Sequence, residues 1–261
     1  MIGLTHPSNK SLSPFSLIHH TMGASQSTQT MRYVPHHSLD ELHQAFLSLV
    51  HLRRTSVLGT TETDTTVNVP ANHLVVDPCS PGNARSTSGA RGVSGAIYKF
   101  APDVWGQITE FTPAAREALK HTGNGCLTTY GGRPLAQVVS PSFAWYKGGD
   151  VTWRHKDSTH HVFTRLVSAY SRALGLFLSG DNNTCTVMDC PPFAWGVNAG
   201  FWSDELPILT LHALSTAIGD LTDDQREMLR TTHTFNLCLF TAEEQAKMDR
   251  ALATTGMHLG A

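Results

Sequence analysis

Charge is scarce in this chain. Only 15% of its 261 residues are Asp, Glu, Lys or Arg, and 19 bases against 21 acids leave a formal net charge of −2. So even a balance excludes binding a nucleic acid by bulk neutralisation of its phosphates. It leaves open the capture of a single nucleotide, which needs only a local anion site. No run of residues approaches the roughly 18 apolar positions of a membrane span, and the N-terminus lacks the apolar stretch of a secretory signal. Cysteine is sparse as well. Cys79, Cys126, Cys185, Cys190 and Cys238 are odd in number and scattered; they form no disulfide framework and are expected as reduced thiols of an intracellular protein. No Gly-Lys-Ser/Thr ends a P-loop, and no Gly-x-Gly-x-x-Gly marks a dinucleotide turn. The expected location is cytoplasmic or nuclear, with a mitochondrial address as the alternative.

Hydrophobic residues make up 40% of the chain, enough for a real core. Residues 1–37 stand apart: they contain no acid, two bases (Lys10 and Arg32) and many Ser and Thr. They read as a disordered or weakly ordered tail, with a weak compositional likeness to a transit peptide. Met22-Gly23-Ala24-Ser25-Gln26-Ser27 fits an N-myristoylation pattern only if translation began at Met22; as an internal residue Gly23 cannot be acylated, and the stretch reads as a small-residue linker. The folded domain is expected over 38–258.

Within it the pattern alternates. Ser38 to Glu41 reads as a capping box followed by Leu42, Ala45, Phe46, Leu49 and Val50 at helical spacing. Val57-Leu58 and Val67–Val69 are short strand candidates, and His73–Val76 reads as a buried strand. A helix is expected from near Ser94, another behind the N-cap pair Thr112-Pro113, a strand at Leu135–Val139, and an amphipathic helix from His161 to Leu178. Cys185–Met188 reads as a strand, Ser203–Ile218 as a helix, and Thr222 as the cap of a further helix. Phe235–Phe240 is expected as the last strand, before a helix capped at Thr241 and ended by Gly256. Strands alternating with helices imply an α/β fold with a largely parallel sheet covered on both faces. Ligands on such sheets sit in the loops at the carboxyl ends of the strands.

Two of those loops are unusual. The first runs from Asp77 to Gly95 and carries Gly89, Gly92 and Gly95 ahead of a helix, with Arg85 and Arg91 nearby. A helix N-terminus presents unpaired N–H groups and partial positive charge, and glycine lets a phosphate approach the backbone. The second, Cys190 to Trp202, carries Gly196, Gly200 and four aromatics: Phe193, Trp195, Phe201 and Trp202. Two of these are expected to plug the top of the domain and the others to be available to a base or ribose.

These loops, in this order, resemble the macrodomain family. The first signature is Leu74-Val75-Val76, Asn83 and Gly92-Val93-Ser94-Gly95-Ala96-Ile97. The second is Pro192, Ala194-Trp195-Gly196-Val197 and Gly200-Phe201. Gly125 to Gly132, Leu135 to Pro141, the helix from His161 and the strand Phe235–Phe240 with Glu243 and Glu244 fall where the family has them. The likeness spans about residues 55–255. It implies a three-layer α/β/α domain with a mixed, largely parallel sheet that binds ADP-ribose or ADP-ribosylated proteins as a monomer, without cofactor or metal. The implied ligand contacts are Asp64, Asp77, Asn83, Gly89, Arg91, Gly92, Val93, Ser94 and Gly95 from the first half. From the second half they are Pro192, Phe193, Ala194, Trp195, Gly196, Val197, Asn198, Gly200 and Phe201. Asp64 is the candidate for the adenine amino group, and Phe201 for packing on the ribose.

One departure bears on activity. The hydrolases of this family carry Asp where this chain has Ser94, and a Ser hydroxyl cannot act as a general base at neutral pH. Asn83 and Ser94 are the catalytic candidates, positioning water rather than deprotonating it; Ser80 or Asp77 could stand in for the Asn. Hydrolysis of mono-ADP-ribose or of O-acetyl-ADP-ribose is preferred over pure reading, with a non-catalytic reader or interaction module as the alternative. Rival chemistries have little support. His155, His160, His161, Cys185 and Cys190 are poorly spaced for zinc, and Cys190 reads more simply as a small buried hydrophobe than as a nucleophile.

Overall fold

The structure, a computed structural model, describes residues 45–82, 89–106, 111–130, 132–144, 146–147, 150–151, 158–179 and 184–260. Its strands are β1 (Val50–Arg53), β2 (His73–Asp77), β3 (Gly125–Tyr130), β4 (Arg133–Val138), β5 (Tyr146–Lys147), β6 (Asp150–Val151), β7 (Val187–Cys190) and β8 (Thr234–Cys238). Its helices are α1 (Gly92–Trp105), α2 (Pro113–Ala118), α3 (Thr159–Leu178), α4 (Leu206–Gly219), α5 (Asp223–Thr231) and α6 (Ala242–Thr255).

Six strands form one sheet in the order β1-β8-β7-β2-β4-β3, parallel except for the β3–β4 pair; β5 and β6 form a separate hairpin. Alternation along the strands divides the apolar side chains between two faces. Leu74, Val76, Ala136, Val138, Met188, Phe235 and Leu237 pack against α3 and α4, with Leu229 of α5 and Met248 of α6 in the same core. Val75, Leu135 and Cys238 look the other way, onto Ile97, Ala101 and Trp105 of α1 and onto Val57, Leu58 and Val69. The result is the three-layer α/β/α arrangement with a mixed, largely parallel sheet. Each fully buried Leu, Val or Phe contributes about 1.5–3 kcal/mol by leaving water, so the two cores hold the strand ends, and the loops that leave them, in fixed relation.

Local signals explain the helix ends. Thr112 accepts a hydrogen bond from the Ala115 N–H with Pro113 at the first helical position. Thr222 with Gln225 and Thr241 with Glu244 form complete capping boxes, and Gly256 closes α6 with φ of 68°. Three expectations need correction. Val50 begins β1 instead of ending a helix, because its backbone pairs with Phe235 on β8 and that long-range ladder overrides local helical spacing. Val57-Leu58 and Val67–Val69 form no strands; they are loop residues whose side chains bury beside α1, so an apolar run marks burial without a ladder. Gly125–Tyr130, rich in Gly and Thr and not expected as a strand, is β3, held by antiparallel pairing with β4. β2, β4, β7 and β8 lie within about two residues of their expected limits, while the short β5–β6 hairpin matches no expected strand. Among the described residues no helix is long and apolar enough to cross a membrane.

Candidate functional site

β7 and β2 are parallel neighbours, as are β2 and β4. Their following loops therefore leave the same edge of the sheet side by side. Backbone and side-chain bonds tie the three loops together. Ser140, just past β4, donates its N–H to the Cys79 carbonyl at 3.0 Å, and its Oγ accepts from the Ala194 N–H at 3.1 Å. The Phe143 N–H donates to the Asn198 carbonyl at 2.9 Å.

The first loop ends at α1. Arg91 is the N-cap in extended conformation, and its side chain makes no cap hydrogen bond. The first amides of the helix, at Gly92, Val93 and Ser94, thus lack the side-chain acceptor that usually covers them. Gly92 has φ of 58°, a left-handed value that favours glycine. Gly95 lies so close to the preceding loop that a Cβ would stand 2.8 Å from the Ala90 carbonyl oxygen. Gly89, Arg91 and Gly92 are exposed, Val93 is half-buried and Ser94 is buried.

The second loop turns twice. Ala194, with φ of 66°, is the one described non-glycine residue in the left-handed region, a strain of about 1–3 kcal/mol borne where Ser140 holds its amide. Gly196 has φ of 65°, and Gly196–Asn198 form a short 3-10 turn. Gly200 has φ of 59°, and a Cβ there would collide with the Phe143 carbonyl. Val197 is 55% exposed and Phe201 48% exposed. Of the other aromatics, Phe193 and Trp202 are buried, Phe193 edge-on to Tyr170 with ring centroids 4.9 Å apart. Trp195 is half-buried and donates Nε1–H to Thr210 at 3.2 Å. Two of the four do plug the core, and the Phe193 ring offers a ligand no surface. Ala194 is buried and Pro192 half-buried. Phe240, expected as the end of the last strand, instead lies past β8 at the same sheet edge and is the other exposed large apolar side chain of the described residues. A cavity of about 270 Å³ opens beside Trp195, Gly196, Ala199 and Thr241.

Asp77 sits at the end of β2 against the start of α1 and is fully buried. Its carboxylate accepts hydrogen bonds from the Ser94 hydroxyl and the Tyr98 phenol, and from Gln137 Nε2 at 3.4 Å. Burial raises its pKa, with the three donors pulling the other way. The Tyr98 phenol is pushed up by burial and by the adjacent Asp77 charge. Ser94 and Tyr98 are four apart on one helix face and Gln137 interrupts an apolar strand, but nothing in the sequence ties any of them to Asp77. The arrangement joins the end of β2 to the first two turns of α1. It spends both the Ser94 hydroxyl and the Asp77 carboxylate on structure.

The other site residues fall elsewhere. Asp64 is exposed and caps its own loop by accepting from the Thr66 N–H at 2.9 Å, which lowers its pKa. Asn83 and Arg85 lie outside the described residues, as does His155. Cys190 is fully buried, and that burial, followed by the neighbouring Asp189, drives its thiol pKa well up, against use as a nucleophile. Among the described residues no group of three or more His, Cys, Asp or Glu could hold a metal ion.

No protein-family model matches the chain, and no curated protein matches it in sequence. Solved structures do. A variant of the Oceanobacillus iheyensis macrodomain with ADPR is similar at TM-score 0.48 and 17% identity, covering 72% of this chain and 87% of that one. The same macrodomain with ADP aligns at TM-score 0.46 and 16% identity, over 77% and 88% of the two chains. An alphavirus structure aligns at TM-score 0.47 and 17% identity, over 80% of this chain and 25% of that one.

Proposed function

We propose that this chain binds ADP-ribose, free or attached to protein, through main-chain amides at Gly92–Ser94 and Gly196–Val197. The observation that carries the reading is that both segments start from the same sheet edge: the Ser94 hydroxyl holds the α1 start, with Gly92, against Asp77 at the end of β2, Gly196 follows the neighbouring parallel strand β7, and Ser140 ties Cys79 to Ala194. Amides at a helix start and in a 3-10 turn, presented at one edge of the sheet, suit a diphosphate. Phe201 and Phe240, exposed at the same edge, supply apolar surface for ribose and base.

The chain reads as a binder in preference to a hydrolase of ADP-ribose esters. The Ser94 hydroxyl gives its one proton to the enclosed Asp77, so it has none to donate to a substrate, and the fully buried Asp77 carboxyl is out of reach of a water on the ligand. On this reading Ser94 serves the ligand with its amide alone.

Calorimetry and thermal unfolding with ADP-ribose test this. A ligand bound only by the native state stabilises it by about 2.7 kcal/mol at a hundred times its Kd. The expected outcome is a saturable heat and a rise in Tm, weakened at least about tenfold in Gly196→Val, since a bulky side chain there covers the turn's amides. No shift in the native protein defeats the proposal. Incubation with a protein mono-ADP-ribosylated on Glu or Asp should release no ADP-ribose above the blank; release restores the hydrolase.

A further inference from the structure

The two ends of the sheet are finished differently. At β1 the chain covers its own edge: the Gly260 N–H donates to the Val50 carbonyl at 2.7 Å, and Gly260 bridges His51 in parallel. At the other end β3 pairs with β4 alone among the described residues. Residues Gly125–Tyr130 include no charged side chain and no proline, the usual means of blunting an exposed edge.

The phase of the β3–β4 ladder fixes which backbone groups are left over. The Val139 N–H donates to the Asn124 carbonyl at 2.8 Å, so the hydrogen-bonded pairs continue at Cys126–Gln137 and Thr128–Leu135 in the observed register. Thr129 stands opposite Pro134, which has no N–H. Gly125, Leu127 and Thr129 therefore turn their N–H and C=O groups to the free side. Arg172 occupies the Gly125 carbonyl, with Nε at 3.0 Å. Among the described residues, Leu127 and Thr129 keep two donors and two acceptors at the two-residue spacing that an extended chain matches.

Beside this edge lies a groove of about 590 Å³, bounded by β3 on one side and by Phe111, Ala114, Ala115 and Ala118 on the other. None of its described lining residues is charged. Its volume falls within the roughly 300–1,000 Å³ of ligand pockets. An occupant must satisfy a row of backbone groups and also place small uncharged side chains against alanines. A single extended peptide does both.

We propose that β3 and the α2 groove form a docking site for an uncharged, extended peptide segment of a partner, which adds to the sheet as a strand beyond β3. Affinity comes from main-chain bonds to Leu127 and Thr129. Selection comes from alternate residues, small or apolar, that enter the groove. The site is independent of the nucleotide reading.

The probe is an array of capped eight-residue peptides drawn from Ala, Val, Ser and Thr, set against an array drawn from Glu and Lys. The neutral array should yield micromolar binders and the charged array none. Thr129→Pro deletes one free donor while leaving the ladder to β4 intact, since its partner Pro134 receives nothing from it. It should weaken the selected peptide at least tenfold, whereas Thr129→Ala should change it less than twofold. As a check that needs no altered protein, N-methylation of alternate peptide amides should abolish binding in one phase and spare it in the other. The proposal is overturned if neither array binds, if the charged array binds as well, or if N-methylation is indifferent to phase. It is equally overturned if the free protein is a dimer that Thr129→Pro dissociates, which would give the edge to a second copy. The ADP-ribose thermal shift should be the same in all variants.

Discussion

Two aspartates among the described residues are buried completely, on the same face of the same sheet, and they are satisfied in opposite ways. Asp189, in the middle of β7, accepts from Arg53 at 2.8 Å, from His73 Nδ1 at 2.6 Å and from Asn236 at 2.8 Å. Those partners come from β1, β2 and β8, so four strands meet on one carboxylate. Asp77, at the end of β2, has only neutral donors: Ser94, Tyr98 and Gln137. Burying a charge costs several kcal/mol and is recovered only by close partners. Mid-sheet, where ladders fix the geometry, a guanidinium does this. At the strand end, hydroxyls and an amide leave the carboxyl pKa raised. One aspartate locks the sheet; the other holds a loop and a helix start.

The largest effect should come from breaking the first. Arg53→Met leaves Asp189 facing a neutral side chain. Removing one partner of a buried pair costs about 3–5 kcal/mol, and Arg53, at 27% exposure, is screened only in part. Urea unfolding should show a loss of that order with the ADP-ribose titration of the remaining native protein unchanged. A loss below about 1 kcal/mol, the range of a surface pair, would erase the distinction.

Asp77→Asn is the matching change at the second site and should cost less, about 1–3 kcal/mol, since a neutral amide accepts from one hydroxyl and leaves the other poorly paired. Its pH dependence has a definite sign. A carboxyl whose native pKa lies above the unfolded value near 3.9 binds its proton more tightly when folded. Its contribution is therefore fully present below the unfolded pKa and is lost as pH rises through the native one. Wild type minus Asp77→Asn, compared by urea midpoints, should widen as pH is lowered from 7 toward 4. A gap that is constant, or that narrows in acid, would mean that the donors outweigh burial and that Asp77 resembles Asp189 after all.

What could be read in advance follows the same division between local and distant causes. The α1 start, the caps at Thr222 and Thr241 and the glycines at 92 and 196 are written in contiguous residues, and each stands where its local pattern places it, while the box expected at Ser38 to Glu41 lies outside the described residues. β1 and β3 were not legible, because each depends on a strand it meets through the fold: Val50 on Phe235, and Thr128 on Leu135. The Asp189 cluster joins residues 136 positions apart in the case of Arg53, and nothing near either one announces the other. In the candidate site the turns were visible. That the hydroxyl of Ser94 is spent on Asp77 was not, since a serine at a helix start looks the same whether it faces inward or outward.

Ser94→Ala should therefore have the smallest effect and the sharpest meaning. It removes one of three donors to Asp77 and leaves Tyr98 and Gln137 in place. The lost bond is worth about 0.5–1.5 kcal/mol net, and alanine's better helix propensity returns a few tenths of it. If the Ser94 hydroxyl serves the tether and its amide serves the ligand, stability falls by about 1 kcal/mol or less by the same bookkeeping, and the Kd for ADP-ribose moves less than about threefold, since the amide that binds is untouched. If instead the hydroxyl orients water on a bound ester, stability stays level and release of ADP-ribose from a modified protein disappears. Urea unfolding and the release assay on one variant separate the two, because a hydroxyl donating to a buried carboxylate cannot at the same moment donate to a substrate.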